Sequence, residues 1–455
     1  MKRVALLALV ALLAVSSVAA AQEGRSYVLQ AAGKWTGAHT QAVVSAGGSL
    51  TFSHENTGLG IATSANPDFA ARAASRGKFS AVTPDMVVRW QQPLTAGEIE
   101  ESAVDPNPPT DSFYPHIQWA PQAVHAPEAW TAGCTGSGVR VAVLDGGVYD
   151  THLDLVGRVD VAASTSFVPG FAFNQDVGTF WHATHVAGIV AASANGLGTV
   201  GIAPEATIIG VKVLHDGSGT FGAVIQGILY AATPVSAGGA GAQVINMSLG
   251  AAFYKTGAGP LIGALNKAVN YADRFGVLVV SSAGNDGLDL DHTGNVISVP
   301  AQSGSGIAVS ATGPLGFALG ATDFTRMASY TNFGTSAINV AAPGGDFALP
   351  GDDMCSLPRA NGTLVTVPCW VFDMVMSPVR GSGASISTYS WAAGTSMAAP
   401  AVSAVAAMII QANPGISLGA LKTRIAQSAD DEGKVGRDPF YGSGFVNAYK
   451  ACTAR

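Results

Sequence analysis

The sequence predicts an α/β domain built on a mostly parallel sheet and preceded by a small α+β unit. Three observations carry this reading. Short apolar runs with little polar alternation recur at 139–144, 207–213, 243–247 and 277–281, and strands of that kind are buried on both faces of a parallel sheet. Helical segments at 183–194, 222–232 and 261–274 lie among them, which gives the alternation of βαβ units. Between 91 and 115 the chain changes character, with five prolines and five acidic residues, a polar extended linker open to proteolysis.

Composition narrows the function classes. The 455 residues are 48% hydrophobic and 12% charged, against about 25% charged in an average soluble chain, which excludes disorder and coiled coil. The 56 glycines have no Gly-X-Y period, and a net charge of −7 without a basic block makes nucleic acid a poor partner. Met1-Lys2-Arg3, the apolar run 4–15 and the small residues 16–21 form a secretory signal. The mature chain is therefore expected outside the cell, without a stable membrane anchor and as a monomer. Four cysteines suit an oxidising compartment. Three pairings are possible on paper; the short loop favours Cys355 with Cys369 and leaves Cys134 with Cys452.

Before the linker, Tyr27-Val28-Leu29, a helix near 38–46 and a strand with Val82, Met86 and Val88 on one face make the small α+β unit. The expected division is 1–21 signal peptide, 22–110 small domain and linker, 111–455 main domain.

In a parallel sheet, chemistry gathers at the carboxyl edge, where strands end and helices begin. Three segments place reactive groups there: Leu144-Asp145-Gly146-Gly147 closing a strand, Trp181-His182-Ala183-Thr184-His185 opening a helix, and Gly394-Thr395-Ser396-Met397-Ala398-Ala399-Pro400 opening another. A serine at a helix N-terminus sits where the dipole favours developing negative charge. Singly, the acid serves as a strand-end cap, the histidine as a satisfied surface group and the serine as an N-cap. Ala126-Pro127-Glu128-Ala129-Trp130, Val244-Ile245-Asn246-Met247-Ser248-Leu249-Gly250, Ala283-Gly284-Asn285, Ala342-Pro343-Gly344 and the serine segment form five blocks in one order.

In these blocks the chain resembles the subtilisin-like serine proteases, over roughly its last three quarters. The resemblance implies a three-layer subtilisin-like fold and a serine endopeptidase that needs no cofactor for catalysis. It assigns Ser396 as nucleophile, His182 as general base and acid, Asp145 as the group that orients the imidazole, and Asn285 to the oxyanion hole. His185 is read as packing. Two positions depart from the family pattern: Gly146 replaces a hydroxyl residue after the aspartate, which would loosen Asp145, and Ala183 replaces glycine after the histidine. The resemblance also implies that an extended substrate peptide adds as a strand to Gly217-Ser218-Gly219 and to Ser248-Leu249-Gly250, with Phe221 at a distal apolar pocket and Ser298 and Pro300 at the primary one. No acidic cluster selects a basic residue, so broad preference for apolar or aromatic side chains follows.

The same resemblance places a structural calcium at Asp154 with Ser193, Asn195, Leu197 and Thr199, while the ligand from the mature N-terminus has no counterpart at Pro115. Asp352-Asp353 reads as a solvated loop. Residues 22–110 become an inhibitory propeptide that assists folding, its tail beyond Trp90 lying in the cleft. Asp145 and Ser396 lie 251 positions apart, and folds closed over such distances form slowly. Two other functions fit the same residues: a secreted pseudoprotease that only binds peptides, and a processing protease dedicated to one partner.

Overall fold

The structure, a computed structural model, describes residues 24–90, 92–100, 111–114, 116–382 and 387–454. The signal segment, Gln91, residues 101–110 of the linker and Pro115 lie outside the described residues.

The small domain contains β1 (Arg25–Ala31), α1 (Gly37–Ser45), β2 (Ser49–His54), β3 (Leu59–Ser64), α2 (Phe69–Arg76) and β4 (Phe79–Pro84). Its antiparallel sheet has the order β2-β3-β1-β4. Alternation along β1 sends Tyr27 and Leu29 into a core with Trp35, Val43 and Phe69, while Val28 joins Leu59 and Ile61 against the main domain. The single strand expected through Val82, Met86 and Val88 is two strands, because the chain turns at Asp85 between β4 and β5 (Val87–Arg89). Met86 is exposed there, and the Asp85 carboxylate accepts from the Gly222 N–H at 3.2 Å. That N–H lies in the first turn of a helix of the main domain, where helix dipole and orphan donors favour a carboxylate. Another strand, β6 (Leu94–Glu100), follows.

The main domain is three-layered. Its sheet strands are β7 (Arg140–Asp145), β8 (Thr165–Ser166), β9 (Thr207–Lys212), β11 (Val244–Met247), β13 (Leu278–Ser282), β15 (Ile307–Thr312) and β16 (Val340–Pro343); β10 (Ser218–Thr220), β12 (Ala251–Tyr254) and β14 (Val296–Val299) lie outside it. The sheet runs β16-β15-β13-β11-β7-β9-β8 and every pairing in it is parallel. Val141 and Val143 face one core while Ala142 and Leu144 face the other, so apolar residues succeed one another along the strand.

The helices are α3 (Ala120–Ala123), α4 (Ala126–Thr131), α5 (His182–Ala191), α6 (Phe221–Ala232), α7 (Lys255–Arg274), α8 (Thr395–Ala412), α9 (Leu418–Ser428) and α10 (Ala448–Thr453). α5 and α8 cover one face of the sheet; α6 and α7 cover the other and carry the small domain. α7 begins at Lys255, before the expected start, and takes Pro260 inside it. After β16 comes an insertion with the hairpin β17 (Met354–Pro358) and β18 (Leu364–Pro368), then β19 (Val375–Val379) and β20 (Thr388–Ala393), which runs toward α8.

Both disulfides have the favoured pairing, Cys355–Cys369 and Cys134–Cys452. The second joins the segment after α4 to α10 across 318 positions, the first closes 14. Replacing Cys134 and Cys452 by serine is expected to lower unfolding stability by about 2–5 kcal/mol, more than the same change at Cys355 and Cys369; denaturant melts of the two double variants check the order.

Candidate active site

Asp145 ends β7 and is buried. Its Oδ1 accepts from the Gly146 N–H at 2.6 Å and its Oδ2 lies 2.8 Å from His182 Nδ1. His182 opens α5, so the end of one strand and the start of one helix bring a carboxylate to an imidazole. Beyond the ring, Nε2 is buried without a hydrogen-bond partner among the described residues.

Ser396 occupies the first turn of α8. Its hydroxyl donates to the Ser248 carbonyl at 3.2 Å. The Ser248 hydroxyl donates in turn to the Ser396 carbonyl at 2.7 Å and accepts from the Asn246 amide at 2.9 Å, while Ser403 on α8 donates to Asn246 Oδ1 at 2.9 Å. This buried chain ties the start of α8 to β11. Asn285 is oriented by Thr395: its Oδ1 accepts from the Thr395 N–H at 2.9 Å and hydroxyl at 2.7 Å, which leaves its NH₂ beside Gly394. Thr395, Asn246 and Ser403 are functional neighbours that motif reading missed, although all three stand within or beside the quoted blocks.

The two departures from the family pattern have structural reasons. A Cβ at Gly146 would lie 2.1 Å from Asp176 Oδ2. Asp176 fills the space a side chain would need, accepting from the N–H groups of Gly147, Val177 and Asp216, each at 3.0 Å. Behind it Lys212 is fully buried, its ammonium 3.9 Å from Asp176 and donating to the Leu214 carbonyl. Burial lowers the Lys212 pKa while Asp176 and Asp145 raise it. Asp145 is thus not loosened by glycine: a backbone N–H and His182 hold it. Ala183 places its methyl in the main core. His185 is fully buried, bonded to the Ser390 carbonyl at 3.2 Å, and burial pushes its pKa down to about 3, so it is neutral packing.

The cleft holds the chain's own segment. β5 pairs antiparallel with β10, setting Val88 opposite Gly219 and Arg89 opposite Ser218, and the Trp90 N–H donates to the Gly217 carbonyl at 2.9 Å. The Trp90 ring is buried against the Phe221–Phe253 pair, at 6.3 and 6.5 Å from the two rings; Phe253 was not anticipated. Leu249 is buried beside the same core, and Gly250 leaves 3.6 Å between a built Cβ and the Val299 carbonyl. Ser298 stands opposite Ala252, its hydroxyl donating to the Ala283 carbonyl at 3.3 Å. The fold also assembles an acidic group invisible in sequence: Asp145, Asp176 and Asp216 line a cavity of about 100 Å³ beside His182, with Arg89 at its wall.

The expected calcium residues lie together, and the side-chain oxygens of Asp154, Asn195 and Thr199 are hydrogen-bonded within the loop. Asp154 accepts from the Thr199 N–H at 3.1 Å and hydroxyl at 3.2 Å and from Tyr389; Asn195 turns its NH₂ to the Leu153 carbonyl at 3.2 Å. Leu197 donates its N–H to Asn195 Oδ1 at 2.9 Å, and Ser193 donates its N–H to the Asp154 carbonyl at 2.8 Å. Asp111 closes the loop through the Asn195 and Gly196 N–H groups at 2.9 and 3.0 Å. These bonds satisfy the loop internally among the described residues, and no part of the function is derived through calcium.

The chain matches the subtilase family model over residues 136–444. It belongs to the subtilase family. It is 35% identical to Subtilisin BL of Lederbergia lenta over 74% of this chain and 98% of that one. It is 34% identical to thermitase of Thermoactinomyces vulgaris over 75% of this chain and 98% of that one. In fold it is similar to the epidermin leader peptide processing serine protease of Staphylococcus aureus, with a TM-score of 0.71 and 20% identity over 95% of this chain and 98% of that one. Family membership makes this subtilase a serine endopeptidase, a hydrolase of protein or peptide substrates.

Two outcomes are expected. Gly146→Ser drives a side chain into Asp176 and lowers both activity and stability, the latter by about 1–3 kcal/mol; adding Asp176→Ala restores part of each, as thermal melts and peptide hydrolysis will register. Burial raises the Asp111 pKa to about 6, so the folded state holds this proton longer than the unfolded state and the group's contribution to stability falls as pH rises from about 4 to 6. Asp111→Asn therefore gains in melting temperature over the parent at pH 7 and loses that gain near pH 4, and chelation leaves both unchanged.

Proposed function

We propose that this subtilase is a secreted endopeptidase of broad specificity, with apolar or aromatic preference, acting through Asp145, His182 and Ser396 and made as a zymogen inhibited by residues 22–110. The observation that supports it most is the buried 2.8 Å contact of Asp145 with His182 beside a serine at a helix start and an asparagine whose NH₂ is held outward.

Rotation of the Ser396 hydroxyl from the Ser248 carbonyl toward His182 Nε2 starts the reaction; such contacts tighten when substrate binds. His182 takes the proton as Ser396 attacks the peptide carbonyl, and Asp145 stabilises the imidazolium without being protonated. The tetrahedral oxygen receives the Asn285 NH₂ and the Ser396 N–H, in a site where water is scarce. Collapse expels the amine with the proton from His182 and leaves an acyl-enzyme, which water hydrolyses by the same steps in reverse. The apolar preference rests on the packing of Trp90 against Phe221 and Phe253.

The zymogen reading rests on β5 and Trp90 in the cleft and on Asp85 at the start of α6. Secretion rests on the N-terminal signal pattern and the two disulfides. The bond to be cut lies between Trp90, paired on the substrate edge, and Leu94, already on β20.

The test is casein hydrolysis by the secreted chain and its Ser396→Ala variant, with intact masses. Hydrolysis and shortening in the first, and neither in the second, are expected; an active Ser396→Ala variant refutes the triad. Asn285→Ala should lower kcat by about 10²–10³ with little change in KM.

A further inference from the structure

β20 carries one strand on each edge: β19 on one side, and on the other β6, paired antiparallel from Leu94 opposite Ala393 to Glu100 opposite Thr388 with a bulge at Gly97. Ala393 stands three positions before Ser396, so β6 follows the path of a peptide downstream of a cut at that serine. Once β6 leaves, the backbone N–H and C=O groups of that edge are free to pair with another strand.

The side chains beside this edge are as informative as the backbone. Leu94 shares with Phe347, Leu349 and Trp370 the wall of a surface cavity of about 300 Å³. The leucine remains 46% exposed, so it leaves space unfilled. The wall is held firmly. Phe347 stacks on Tyr330 at 5.5 Å, Leu349 and Trp370 pack against the main core, and the hairpin between them is closed by Cys355–Cys369.

We infer that Phe347, Leu349 and Trp370, beside the edge of β20, select a large apolar side chain in the substrate strand that follows the cut, at the place where Leu94 now lies. The inference rests on the protease reading and adds to it a selection downstream of the cut. Its occupant is an extended peptide, because the bonds offered are those of a strand edge, and its selectivity is for size, because the cavity wall is mainly apolar with Asp352 at its rim.

The test uses active enzyme from the full chain and fluorogenic peptides of the sequence 86–100 that carry Ala, Leu or Phe at position 94, with product masses locating the cut between Trp90 and Leu94. kcat/KM is expected to rise from Ala to Leu to Phe, spanning about tenfold, and the spread to shrink to about twofold in Trp370→Ala and, separately, in Phe347→Ala. Equal rates for the three peptides, or a full spread in both variants, overturn the inference. Failure to hydrolyse any peptide while Ser396 also resists a fluorophosphonate label overturns the protease reading and this inference with it; labelled Ser396 with rates indifferent to position 94 overturns this inference alone.

Discussion

The buried hydrogen bonds that fasten the start of α8 to the end of β11 are the constraint on which the site depends. Ser248 donates to the Ser396 carbonyl and is oriented by Asn246, which Ser403 holds from the next turns of the helix. Thr395, adjacent to Ser396, orients Asn285 from a different strand end. In an interior from which water is excluded, a half-satisfied network is costly and a complete one is rigid. Ser396, the Asn285 amide beside it and the end of β11 thus form one unit, against which β7 and α5 present the Asp145–His182 pair.

A second constraint is electrostatic. Asp145 and Asp176 lie on the same side of the sheet edge, and Lys212 is buried behind them. An unpaired buried ammonium is expensive and two neighbouring carboxylates repel; side by side, each relieves the other. Glycine at 146 is a consequence of this packing, since Asp176 takes its side-chain space.

The small domain bridges cleft and scaffold. Its sheet packs on α6 and α7, Asp85 meets the start of α6, and β5, Trp90 and β6 then thread the cleft on both sides of the serine. One continuous chain thereby makes strand pairs upstream and downstream of the reactive centre, which ties the inhibitory reading and the downstream subsite to the same path.

Much of this was legible in the residues alone. The buried parallel strands, the helices at their ends, the candidates Asp145, His182, Ser396 and Asn285, and the Cys355–Cys369 loop follow from local pattern, because apolar periodicity and short motifs are properties of neighbouring residues. Other features depend on residues remote in sequence that meet only in the fold. Asp176 reaches Gly147, 29 positions away, and Asp111 reaches the 193–199 loop; neither partner is marked by spacing. The break at Asp85 was missed because what interrupts the strand is the start of a helix 137 positions later. The sequence by itself determined the layers and the family and singled out the candidate reacting groups. Tertiary structure alone decided how the reacting groups are held, what fills the expected calcium loop and which strand lies along β20, since side-chain volume and hydrogen-bond direction act only between surfaces already brought together.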